Sequence, residues 1–178
     1  VNQPTLSEGS HPPDREVPVA AILTISDGVS RGNREDRSGA ALVELLESEG
    51  FPVAMRKVVA DDAAEIGGAI TELAAMVPLV VTTGGTGLGP RDVTPEATRG
   101  VLDREAPGLV MLMLNEAIRQ NPMAALSRAV VGTIGASLVV NLPGSPRGAV
   151  ENLTALLPIL PHALALLGGD TEHRPPSG

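Results

Sequence analysis

The chemistry-bearing residues gather in one stretch, LVVTTGGTGLGPRDVTPE from Leu79 to Glu96, and in two aspartates upstream of it, Asp27 and Asp61. Leu79 to Thr83 is a continuous apolar and β-branched run, the pattern of a strand buried on both faces. Glycines follow at Gly84, Gly85, Gly87 and Gly89, and then Thr94-Pro95-Glu96, in which Thr94 suits a helix cap, Pro95 the first turn and Glu96 the positive end of the dipole. A strand, a loop with uncovered amide N–H groups and a helix start together make a receptor for an anion such as phosphate. The spacing excludes two familiar versions. A Walker A loop needs Lys after Gly89, where Pro90 stands, and a dinucleotide fingerprint starting at Gly85 needs its third glycine at that same proline.

Composition narrows the chemistry further. A net charge of −8 argues against a nucleic-acid surface, so an anionic ligand must be met by local amides, a few arginines or a bound cation. The absence of cysteine excludes disulfides, thiolate catalysis and Cys-based zinc sites. His11, His162 and His173 lack metal-binding spacing. Phe51 is the sole aromatic residue, so ring systems cannot be held by stacking.

These residues need elements to hold them. The 178 residues, 43% hydrophobic, fit one domain with a substantial core. Residues 1–16 are polar and proline-containing, do not form a secretory signal, and read as a disordered arm; residues 17–168 read as the domain and 169–178 as a flexible tail. Val19 to Ser26 is the first strand, closing on Ser26-Asp27-Gly28, where Asp27 also suits a turn. Ser38 is placed to cap the next helix and Gly50 to end it. Phe51 to Val59 is the second strand. Asp62 with Glu65 makes a capping box for a third helix, which leaves Asp61, at the strand's carboxyl end, as the freer carboxylate.

A helix from Thr94 to about Arg104 is expected next. The following helix carries six consecutive apolar residues, Leu109 to Leu114, too few to cross a membrane, and so needs cover from its own domain or from another subunit; an oligomer is the expectation. Met111 and Met113 are both expected in core or interface. Ala129 to Ile134 and Ser137 to Leu142 read as paired strands, and Ser145-Pro146 as a second helix start. Strands alternating with helices predict an α/β fold of three layers, α/β/α, around a mainly parallel sheet, with the loops at Ser26-Asp27, Asp61, Gly84 to Asp92 and Asn141 to Ser145 along one rim.

Ser26-Asp27, the Gly32, Asp36 and Ser38-Gly39 that follow, Thr82-Thr83-Gly84-Gly85-Thr86-Gly87, Arg91 to Glu96 and Asn141-Leu142-Pro143-Gly144-Ser145-Pro146 resemble the molybdopterin adenylyltransferases of molybdenum cofactor biosynthesis. The resemblance runs from Pro18 to Gly168 in unbroken motif order. It implies a cytoplasmic homotrimer that joins molybdopterin to ATP with Mg2+, releases pyrophosphate, and passes adenylylated molybdopterin to a molybdate insertase. It assigns Asp61 and Asp92 to catalysis, with Asp61 or Asp92 acting through magnesium. It assigns Ser26, Asp27, Thr83, Gly84, Gly85, Thr86, Gly87, Asn141, Gly144 and Ser145 to substrate binding. Arg147 stands where many relatives carry lysine, so positive charge is kept with a different geometry. Neither a membrane nor a nucleic acid is an expected partner. Two other readings share the pattern: a molybdopterin carrier without catalysis and a metal-dependent nucleotide hydrolase.

Overall fold

In the computed structural model, residues 17–170 are described; the expected polar arm, and the tail from residue 171 onward, lie outside them. Six strands form one sheet in the order β2-β1-β3-β6-β5-β4. They are β1 (Ala20–Ile25), β2 (Val53–Val59), β3 (Leu79–Thr83), β4 (Arg104–Glu105), β5 (Val131–Ile134) and β6 (Ser137–Leu142). β2, β1, β3 and β6 run parallel, while β5 returns antiparallel beside β6 as the expected hairpin.

Strand residues alternate between two cores, as a pleated sheet requires. Ala20, Ile22, Leu79, Val81, Leu138 and Val140 face one core; Ala21, Leu23, Val80 and Val139 face the other. Helices α2 (Arg37–Ser48), α5 (Pro107–Gln120), α6 (Pro146–Leu156) and α7 (Leu160–Leu167) cover the first face. α3 (Ala63–Ala74) and α4 (Thr94–Arg99) cover the second, and a single turn, α1 (Asp27–Ser30), follows β1. The expected three layers are therefore present. Among the described residues no single helix is long and apolar enough to cross a membrane; α6 and α7 pass that test only as a pair, bent by 67°.

Several boundaries differ from the sequence reading. Asp36, not Ser38, caps α2: its Oδ1 accepts from Gly39 N–H at 2.8 Å, and its Oδ2 accepts from Thr24 Oγ1 at 2.9 Å and Arg56 Nη2 at 3.0 Å. Thr94 is no cap either. Val93 occupies that position without a side-chain bond, and the Thr94 hydroxyl donates instead to Gly84 O at 2.9 Å. α4 ends at Arg99, and Arg104 and Glu105 pair with Thr133 and Gly132 as an edge strand. Asp62 caps α3 as expected, but Glu65 meets Ala60 N–H, so the box closes two residues outside Asp62. In α5 only Met113 and Ala117 are buried, and Met111 is 64% exposed.

Candidate active site

Parallel pairing sets the site. Ile25 lies opposite Val59, Thr24 opposite Thr83, and Thr83 opposite Leu142, so four strands end level and their loops form one rim. The chain leaves β1 for β2 on one side and returns to β3 on the other, and ligands bind outside the strand ends at such a switch point. There the backbone is pressed together. Gly84 has φ +109°, and a Cβ on it would lie 2.1 Å from Ile25 O, so no other residue fits. Gly85, at φ +62°, would place a Cβ 2.5 Å from Thr94 Oγ1. Thr94 also donates its N–H to Gly85 O at 3.1 Å, so one residue satisfies the carbonyls of both glycines.

Two cavities open on this rim. The larger, about 760 Å³, is walled by Ser26, Asp61, Thr83, Gly84 and Asp36, with Arg34 and Arg37 at its mouth. The smaller, about 410 Å³, is walled by Thr86, Gly87, Asp92, Asn121, Met123 and Asn152. Gly85, Gly144 and Ser145 line both, so loop backbone is the partition between them. Ser145 caps α6 through Gly148 N–H at 3.2 Å, and Ser26 caps α1 through Val29 N–H at 3.3 Å.

The carboxylates separate accordingly. Asp61 Oδ2 accepts Asp27 N–H at 2.7 Å, and Asp61 N–H donates to Asp27 Oδ1 at 3.3 Å, so the ends of β1 and β2 clasp each other. Asp61 Oδ1 faces the partition, 3.3 Å from where a Cβ on Gly85 would stand. Asp27 Oδ2 accepts Arg91 Nη2 at 2.7 Å across the rim. That hydrogen bond, with the Asp61 amide and the charges of Arg91 and Arg31, holds the Asp27 carboxyl below its usual range against the opposing effect of burial. Asp92 turns back on its own loop, its Oδ2 accepting Gly89 N–H at 2.8 Å. Asp61 and Asp92 thus stand on opposite sides of one partition.

Not every residue singled out in the sequence reaches the rim. Asn141 is fully buried: its Nδ2 donates to Thr82 Oγ1 and Thr98 Oγ1, each at 3.0 Å, and its Oδ1 accepts Val130 N–H at 3.3 Å. It braces the sheet under the site and has no polar atom left for a substrate. Thr83 does stand in the wall of the larger cavity, but its buried hydroxyl donates to Pro143 O at 2.8 Å, tying the glycine loop to the loop after β6. Arg147 pairs along α6 with Glu151 at 2.5 Å. Sequence reasoning passed over Arg128, whose side chain binds two carbonyls of the glycine loop and Glu96 on α4; a single arginine before a strand carries no local pattern that would reveal this.

The family model described as "Probable molybdopterin binding domain" matches residues 21–162. Among solved structures, the molybdopterin biosynthesis enzyme MoaB of Thermus thermophilus aligns with a TM-score of 0.81 at 48% identity, covering 90% of this chain and 99% of that one. A molybdopterin adenylyltransferase of Helicobacter pylori is 38% identical over 153 residues, which is 84% of this chain and 87% of that protein. Gephyrin of Dictyostelium discoideum is 36% identical over 93% of this chain, which corresponds to 25% of gephyrin. Several curated relatives are longer in this way, and the chain spans between a quarter and a half of their length. The level rim, the glycine partition and these likenesses agree: the chain belongs to the molybdopterin-binding domain family of molybdenum cofactor biosynthesis.

Proposed function

We propose that this chain adenylylates molybdopterin. In the reaction, a terminal phosphate oxygen of the pterin attacks the α-phosphorus of ATP. The bond from that phosphorus to the oxygen bridging the β-phosphorus breaks, and pyrophosphate leaves with the electron pair. The observation that carries the reading is the pair of cavities sharing one backbone partition, with Asp61 on one side and Asp92 on the other. Two anionic substrates can each occupy a cavity and meet at Gly85, Gly144 and Ser145.

The demands of the chemistry follow from charge. A phosphate nucleophile is already ionised at neutral pH, so neither aspartate has to remove a proton from it. The site must instead hold two anions in line and offset their repulsion. The amides of Gly85 to Gly87 and the amino end of α6, capped by Ser145, contribute positive potential at the partition. Magnesium, when bound with the nucleotide, would neutralise phosphate charge and orient the leaving pyrophosphate. The donor set suits it: among the described residues no group of three acidic or histidine side chains could hold a metal alone, and magnesium commonly takes one or two carboxylates plus substrate phosphates. Asp61, on the side of the larger cavity, or Asp92, on the side of the smaller, would hold the ion.

The family resemblance extends the reading to a cytoplasmic homotrimer that delivers its product to a molybdate insertase. Pyrophosphate release is the direct test, measured with molybdopterin, ATP and magnesium beside Asp61→Ala and Asp92→Ala. Release that requires all three components and falls by at least about a hundredfold in each variant supports the transferase. Binding of molybdopterin by the wild type with no release would replace this reading with that of a carrier.

A further inference from the structure

The segment from Gly87 to Asp92 has little to hold it. Leu88 is 67% exposed, Gly89 and Pro90 are exposed, and the Arg91 side chain lies largely in solvent at its pair with Asp27. Its internal order comes from a tight turn, in which Asp92 N–H donates to Gly89 O at 3.0 Å and Gly89 N–H returns to the Asp92 carboxylate. A turn of this kind fixes its own shape. It does not fix where that shape sits on the molecule.

Beside the solvent-exposed Arg91–Asp27 pair, Arg128 supplies a second and more enclosed tie. It stands between a 3-10 turn, Pro122–Leu126, and β5. Its Nε donates to Gly87 O at 2.7 Å and its Nη2 to Asp92 O at 2.6 Å, so one rigid plane grips both ends of the turn. Its Nη1 donates to the Glu96 carboxylate on α4, and its backbone N–H to Thr86 O at 2.8 Å. Each guanidinium nitrogen has a protein acceptor, so this arginine is placed to hold the loop and not to touch a substrate.

We propose that Arg128 is a positioning residue that fixes the Gly87–Asp92 turn, and through it the Asp92 carboxylate, at the partition between the two cavities. The link to catalysis rests on the transferase reading above; the link to the loop does not. Geometry is the essential part. Gly87 O and Asp92 O bond different nitrogens of one planar fork, whereas a lysine offers a single ammonium on a flexible stem and cannot hold both in fixed relation. Keeping the charge without the fork should therefore fail. A displacement of about 1 Å at a reacting group is enough to cost about a hundredfold in rate.

The test uses Arg128→Lys, which retains charge and an aliphatic stem, and Arg128→Ala, assayed with and without added guanidinium ion. Three readouts are expected to agree. In Arg128→Lys the kcat of pyrophosphate release falls by about ten- to a hundredfold, with KM for ATP little changed. Guanidinium partly restores kcat in Arg128→Ala. By NMR, amide exchange at Gly89 accelerates at least about tenfold in Arg128→Lys, while the amides of β3 and β6 exchange as in the wild type. A lysine variant with wild-type kcat and wild-type Gly89 exchange would overturn the proposal, as would exchange that rises equally throughout the sheet. Should the wild type release no pyrophosphate, the transferase reading fails separately, and exchange at Gly89 alone decides whether Arg128 fixes the turn.

Discussion

A carboxylate's work is set by what already holds it, and Asp27, Asp61 and Asp92 are held differently at this rim. Asp61 gives one oxygen to a backbone amide and turns the other to the partition, and Asp92 is folded into its own turn. Asp27 is the most heavily engaged, with Arg91 on one oxygen and the Asp61 amide and Arg31 on the other. Its folded-state pKa is depressed, first by the Arg91 hydrogen bond. The linkage has a definite sign: a depressed carboxyl pKa adds stability above the unfolded-state value, and that stability is lost as pH falls through the lower, folded value. Arg91→Ala should therefore raise the Asp27 pKa toward its ordinary range, as read by carboxyl carbon NMR. The stability gap between wild type and variant should be widest near neutral pH and should close in acid. An unmoved Asp27 titration in Arg91→Ala would refute the account. The same bond predicts that substrate phosphates drawing Arg91 away would leave Asp27 easier to protonate.

Elements were legible in the sequence wherever their cause was local. β1, β3 and β6 are buried on both faces and so read as runs of apolar and β-branched residues, interrupted only by Ser137 and Asn141 of β6, and Gly50 and Ser145 close and open helices with the chemistry their types suggest. What escaped was set by partners distant in sequence. Ser38 and Asp36 are both capping types; the choice falls to Asp36 because Thr24 on β1 and Arg56 on β2 also bind it. β4 is two exposed residues with no pattern of their own, created by pairing with β5. The site loops were found by their glycines, but motif membership did not separate Asn141, which braces the rim from below, from neighbours that line it. Its amide joins β6 to β3 through Thr82 and to α4 through Thr98. Asn141→Leu would strand two buried hydroxyls and the Val130 N–H, costing about 3 kcal/mol, measurable as a fall in the urea midpoint. A loss under about 1 kcal/mol would mean that these groups find other partners and that the brace is dispensable.

At the scale of the whole molecule, α5 poses the open question of contact. Its apolar run suggested burial on all sides, yet one chain covers only the face carrying Met113 and Ala117. Met111 and Ile118, seven residues apart and so on one stripe, are 64% and 39% exposed, and the adjoining 3-10 turn leaves Met123 64% and Leu126 45% exposed. Scattered apolar residues on a surface need no explanation, but four large ones on consecutive elements suit contact with another subunit. Met123 and Leu126 also line the cavity that holds Asp92, so a subunit seated here would complete the wall beside that carboxylate. The proposed trimer can thus be tested at this face. Sedimentation of the wild type at micromolar concentration should give about three chain masses, and the double variant Met111→Glu/Ile118→Glu should fall to one while keeping its far-UV circular dichroism. If the face serves catalysis as well as assembly, pyrophosphate release should fall with the mass, although neither substituted residue lines either cavity of the rim. A charged double variant that remains trimeric would move the interface elsewhere on the molecule, and a wild type that sediments as a single chain would remove the need for one.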